Sequence, residues 1–176
     1  MSSSAETAFA EWVRSHHGLD PERIVPRPEL DGDGFRGFTA VAPGRYVRGL
    51  VRGSDVLTFA VDDAFARWVA AVDFAHVVDP DPVRFVHVYQ SLQAPPEDRY
   101  AESRFPLLSC AQLATAPLDH VAERVELPCV ADEDGGGRRV GVWFQAEPGS
   151  TLEHWVFHVA ADGAVTLERR VAAPAR

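Results

Sequence analysis

The chain has 176 residues, 46% of them apolar, with 26 acidic side chains against 17 basic ones and a formal charge of −9. No apolar run approaches the roughly 20 residues a membrane helix needs, and the negative charge disfavours broad binding to phosphate backbones or anionic lipid. The opening MSSSAETAFAEWVRSHH lacks the basic start and apolar stretch of a signal peptide, so cytoplasmic residence is expected.

Ser4 to His17 is predicted as a first helix, with Phe9, Trp12, Val13 and His16 at helical spacing and Ser3 and Glu6 in capping-box register. Gly18 and Pro21 stop it. PERIVPRPELDGDG, with its three prolines, reads as an irregular connector. From Phe35 to Val61 the pattern is a three-stranded meander turning at Pro43-Gly44 and Gly53-Ser54. Two-residue loops set Val41 opposite Tyr46 and Val51 opposite Val56. One face then carries Phe38, Ala40, Val47, Gly49, Val51 and Val56, and the other Tyr46, Arg48, Leu50 and Leu57. Both are largely apolar, which calls for cover on both sides, and Gly49 leaves a gap for a helix or a ligand.

A second helix is expected from about Asp63 to Ala75, capped by Asp62 and burying Phe65, Trp68, Val69 and Val72. DPDP at Asp79 to Pro82 is taken to end that region, and Arg84 to Gln93 reads as a strand on which His87 shares a face with Phe85 and Tyr89. Ala94 to Asp119 is ambiguous, with a short helix considered near Cys110 to Ala114.

Four strands are expected in the last third, over Glu123–Val130, Arg139–Ala146, Thr151–Ala160 and Ala164–Val171. Pairing across Pro148-Gly149 sets Phe144, Val142 and Val140 opposite Glu153, Trp155 and Phe157. For the last hairpin, a three-residue loop with Gly163 left-handed pairs Val159 with Val165 and Phe157 with Leu167, whereas a two-residue turn opposes Phe157 with Glu168. The longer loop is preferred. It aligns Trp143, His154 and Arg170 in one cross-strand row on an exposed polar face that also holds His158 and Glu168. Trp and Arg are frequent interface anchors; the plainer alternative is a solvated face with Trp143 half covered by Arg170.

The candidate chemistries are few. Without Lys no Schiff-base or P-loop lysine exists. Cys110 and Cys129 form no CxxC pair, no four-Cys zinc site and no disulfide framework, and are expected to be buried free thiols. His154 and His158 give HxxxH, but Trp155 stands where a zincin has its Glu, and a strand separates the imidazoles by roughly 13 Å. His16-His17 suits a helix C-terminus. The acidic-glycine segments at Asp31–Gly34 and Asp132–Gly135 follow turn chemistry and do not continue as EF-hands. Cys110 with His87 or His120 as base carries no recognisable motif.

The expectation is thus one α+β domain over residues 1–176, with an N-terminal three-stranded and a C-terminal four-stranded antiparallel meander packed with two main helices. Its opening order of elements is similar to that of small acidic secretion chaperones. Function is expected to be non-catalytic protein binding, by a chaperone-, immunity- or assembly-partner-like module, through Trp143, His154, His158, Glu168 and Arg170, with no metal or cofactor. The alternative is a small-molecule-binding protein or enzyme with a pocket lined by Tyr46, Gly49, His87 and Tyr89.

Overall fold

The computed structural model describes residues 4–99, 105–106, 124–145 and 151–172. It is an α+β fold with antiparallel sheets, in two compact units: Met1–Trp68 with His87–Glu102, and Val69–Val86 with Ser103–Arg176. The short helix considered near Cys110, the thiol of Cys110, His120, Ser3 of the capping box and the Pro148-Gly149 turn lie outside the described residues.

In the first unit, α1 spans Ser4–His17 as its spacing predicts and buries Phe9 and Val13. The connector after it is more regular than expected. Arg23–Pro26 forms β1, pairing antiparallel with β2 (Arg36–Ala42), and Pro28–Leu30 is a 3₁₀ turn. The prolines that argued against a strand are compatible with this one, because β1 is an edge strand and Pro26 is its last residue. The sheet continues through β3 (Arg45–Arg52) and β4 (Asp55–Thr58) in the order β1-β2-β3-β4. Val41 faces Tyr46 and Val51 faces Val56, as the two-residue turns require. Gly37 lets the 3₁₀ turn close on the sheet, since a Cβ there would lie 2.5 Å from Leu30 Cβ and 2.7 Å from the Arg27 carbonyl oxygen.

The predicted second helix is shorter than expected. It forms α2 over Ala64–Ala71, then Asp73 takes a left-handed conformation (φ +50°) and Phe74–His76 continues as a 3₁₀ turn. Asp adopts that region more readily than most residues, so the break has a local cause.

The segment read as a strand, Arg84–Gln93, is a helix: α3 spans Pro82–Gln93. The Asp81 carboxylate accepts from the backbone N–H groups of Val83 (2.9 Å) and Arg84 (3.1 Å), and Pro82 occupies the first turn, where its missing N–H costs nothing. DPDP therefore starts an element instead of ending one. With α3 in place of a strand, the element order that resembled the secretion chaperones is not kept.

In the second unit, β7 (Gly137–Gln145), β8 (Leu152–Val159) and β9 (Val165–Val171) form an antiparallel meander. The outer edge of β7 pairs with β5 (Phe105–Pro106) at one end and β6 (Cys129–Glu133) at the other. The expected strand Glu123–Val130 is thus displaced toward the acidic loop. Pro128, with no N–H to donate, precedes it, and Asp132 sits opposite Arg138, whose Nε donates to its carboxylate at 3.3 Å. One face of this sheet supplies the core, where Phe157 meets Phe85 edge-on at 5.2 Å and Phe85 meets Phe74 at 4.5 Å. Arg138 also reaches the backbone carbonyls of Phe74 and Val77. Among the described residues no helix is long and apolar enough to cross a membrane.

Candidate functional site

The hairpin β8–β9 decides which residues share a face, and its loop is the three-residue one. Gly163 has φ +84°, Val159 pairs with Val165 and Phe157 with Leu167. This register sets Trp143 opposite His154 and His154 opposite Arg170. The Trp143 and His154 rings stack at 4.3 Å between centroids, 9° from parallel, and the Arg170 guanidinium lies 5.5 Å from the Trp143 centroid. On the opposite face Arg169 lies 4.1 Å from the Trp155 centroid. The consecutive arginines of β9 thus each cover a tryptophan, one on each side of the sheet.

The face is not uniformly exposed. Trp143 is only 4% exposed, and Gln145 and Leu152 beside it are buried, while Arg139, Thr166, Glu168 and Arg170 stand in solvent. The expectation of an exposed polar face with one large aromatic is therefore corrected at the aromatic: Trp143 is a buried floor, with His154 and Arg170 laid over it.

Where the floor is open it becomes a groove of about 220 Å³, bounded by Arg124, Arg139, Arg170 and the 126–129 segment, over Trp143, His154 and Val156. Gly141 lines it without a side chain, and a Cβ there would sit in ordinary contact with His154 Nε2 (3.5 Å) and Cys129 Sγ (3.7 Å). Cys129 is an exposed free thiol, against the expectation of burial. Arg124 pairs with Glu126 at 3.4 Å, whereas Arg139 makes no ion pair among the described residues. Among the described residues the lining thus holds three guanidinium groups against one carboxylate, in a chain whose total charge is −9.

Of the predicted contact residues, Trp143, His154 and Arg170 come together here. His158 does not join them: its Nδ1 lies 2.9 Å from Glu133 Oε1, and it lines a neighbouring cavity of about 240 Å³. Glu168 is exposed on β9, opposite Val156. Arg124 and Arg139 were not among the predicted contact residues, and Cys129 was expected only as a buried thiol. Arg139 alone had a readable signal, its place in the alternation one pair from Gly141.

The residues of the alternative pocket are not gathered around Gly49. A Cβ at Gly49 would lie 2.9 Å from Phe9 Cε2, 2.6 Å from the Leu57 carbonyl oxygen and 2.7 Å from Thr58 Cγ2, so α1 fills the gap. Tyr46 lies on the opposite face of β3 by strand alternation. His87 is on α3, where the expected strand face with Phe85 and Tyr89 does not exist, and Tyr89 packs edge-on against Phe65 at 5.0 Å.

Asp31 illustrates how the acidic-glycine segments are used: it accepts from the Gly37 backbone N–H at 2.8 Å and pairs with Arg36 at 2.9 Å. Among the described residues no group of three or more metal-ligating side chains is found. No protein-family model, curated protein or solved structure matches the chain.

Proposed function

We propose that this protein is a non-catalytic protein-binding module whose recognition surface is the Trp143–His154–Arg170 face of the second sheet. The observation that carries the reading is the stacked row itself. Three side chains from three strands are held in one line by register, with Arg170 at its exposed end and Arg139, opposite His158 on the same face of β7, also presented to solvent. A preorganised surface loses little side-chain entropy on association, which is what allows a small patch to bind.

The size of the groove supports a protein partner over a small ligand. At about 220 Å³ it lies below the roughly 300–1,000 Å³ of pockets that enclose drug-sized molecules, and it suits one or two side chains of a partner. The acidic chaperone, immunity or assembly class remains the reading of the protein's role, and the cell interior its expected compartment.

The test is affinity capture with tagged wild-type protein and with Arg139→Glu/Arg170→Glu, each checked for an unchanged circular dichroism spectrum. The reading expects a stoichiometric protein bound by the wild type and lost from the variant. Equal capture by both removes this face as the binding surface.

A further inference from the structure

Resting on that reading, we infer that the groove recognises an acidic segment of the partner, seating a carboxylate side chain between Arg139 and Arg170 with its aliphatic stem against Val156. Charge complementarity carries the assignment. Among the described residues the groove lining holds Arg124, Arg139 and Arg170 against one carboxylate, Glu126, and Arg139 makes no ion pair. Guanidinium groups match carboxylates in shape as well as charge, since their N–H donors can engage both oxygens of one carboxylate.

The chain's charge of −9 would seem to oppose an acidic partner. At physiological ionic strength the Debye length is about 8 Å, so remote carboxylates are screened while contacts inside the groove are not. Half-buried Val156 gives such a side chain an apolar contact for its stem below the cationic rim, while Trp143 is already covered by His154 and Arg170. Gly141 adds no side chain to the groove, and a Cβ there would sit in ordinary contact with His154 and Cys129.

Cys129 provides the readout, because it lies in the groove wall as an exposed thiol. The experiment measures carboxymethylation by iodoacetate and carbamidomethylation by iodoacetamide at Cys129, identified by peptide mass spectrometry. Both rates are referred to a short neutral cysteine peptide. In low-salt buffer, where screening is weak, one cation at roughly 7 Å in water changes the local concentration of a monoanion about threefold. The iodoacetate preference at Cys129 should therefore exceed that of the reference peptide by about threefold or more, and fall toward it in Arg139→Gln and further in Arg139→Gln/Arg170→Gln. Hexaglutamate should protect Cys129 in the wild type and hexalysine should not.

An iodoacetate preference no greater than the reference, or absence of protection by hexaglutamate, overturns the inference. If partner capture is nevertheless lost in Arg139→Glu/Arg170→Glu, the face docks a protein through other chemistry, and only the acidic-segment assignment fails. Glutarate protecting as well as hexaglutamate at equal carboxylate concentration would make the groove a small-anion site and likewise overturn it.

Discussion

The two sheets solve the same problem in different ways. A face of the first sheet, carrying Phe38, Ala40, Val47, Val51 and Val56, is covered by a helix, with Phe9 and Val13 of α1 in the same buried cluster. A face of the second sheet is paved by its own side chains, with His154 and Arg170 laid across Trp143. The helix-covered face needs small residues where the helix comes closest, hence Gly49 under Phe9. The self-paved face needs flat rings and planar cations in register, and it leaves their polar edges toward solvent. The comparison teaches that a Gly among β-branched residues can mark a place for the protein's own helix, whereas a Trp-His-Arg row marks a surface finished without one.

The difference can be broken by mutation. Phe9→Ala should have the largest effect, about 3–5 kcal/mol, because it removes a fully buried ring between α1 and the sheet; urea unfolding followed by circular dichroism measures it. Gly49→Ala should cost about 1–3 kcal/mol, since the new methyl collides with the Leu57 carbonyl as well as with Phe9. Adding Phe9→Leu should recover only part of that loss, because the backbone carbonyl cannot withdraw. Arg170→Ala, by contrast, removes a cover from the self-paved face and should cost no more than about 1 kcal/mol in the same unfolding assay. An Arg170→Ala loss as large as that of Phe9→Ala would mean that the row is core and not surface.

The smallest expected effect concerns the C-terminal end of α1. Partial burial lowers the His17 pKa from its ordinary value of 6.5, reinforced by His16 and Arg45. The unfolded chain therefore binds a proton more readily than the folded one, so His17 contributes stability that is present above about pH 6.5 and is lost as the pH falls below that value through the lower pKa of the folded state. His17→Gln should flatten this part of the stability–pH curve, measured by urea unfolding between pH 5 and 8 as roughly the range over which a histidine titrates.

Much of the second sheet was legible because its alternation is strict and the hairpin had only one register that kept Glu168 off the core. Even so, the preferred register still places a charge on the core-side face, at Arg169, which is tolerated because it lies at the sheet edge over Trp155. The first sheet's meander and α1 were equally readable from turns and spacing. The misreading of α3 as a strand has its own cause. α3 buries Phe85, Val86, Val88, Gln90, Ser91 and Leu92, so much of its circumference is covered that no single period stands out. Its informative signal was Asp81-Pro82, a cap and first turn mistaken for a stop. The groove was only half visible: Trp143, His154 and Arg170 follow from register, but Arg124 and Cys129 arrive from the 124–129 segment, and no periodicity predicts where that segment lies.

The most direct test of the binding face is hydrogen–deuterium exchange of the protein alone and in complex with the partner captured by the wild type. The account predicts that new protection concentrates in residues 124–129, 139–143, 154–158 and 166–170, while α1 and β1–β4 exchange as before. Protection confined to α1 or to the first sheet, with residues 139–143 and 166–170 unchanged, would contradict it.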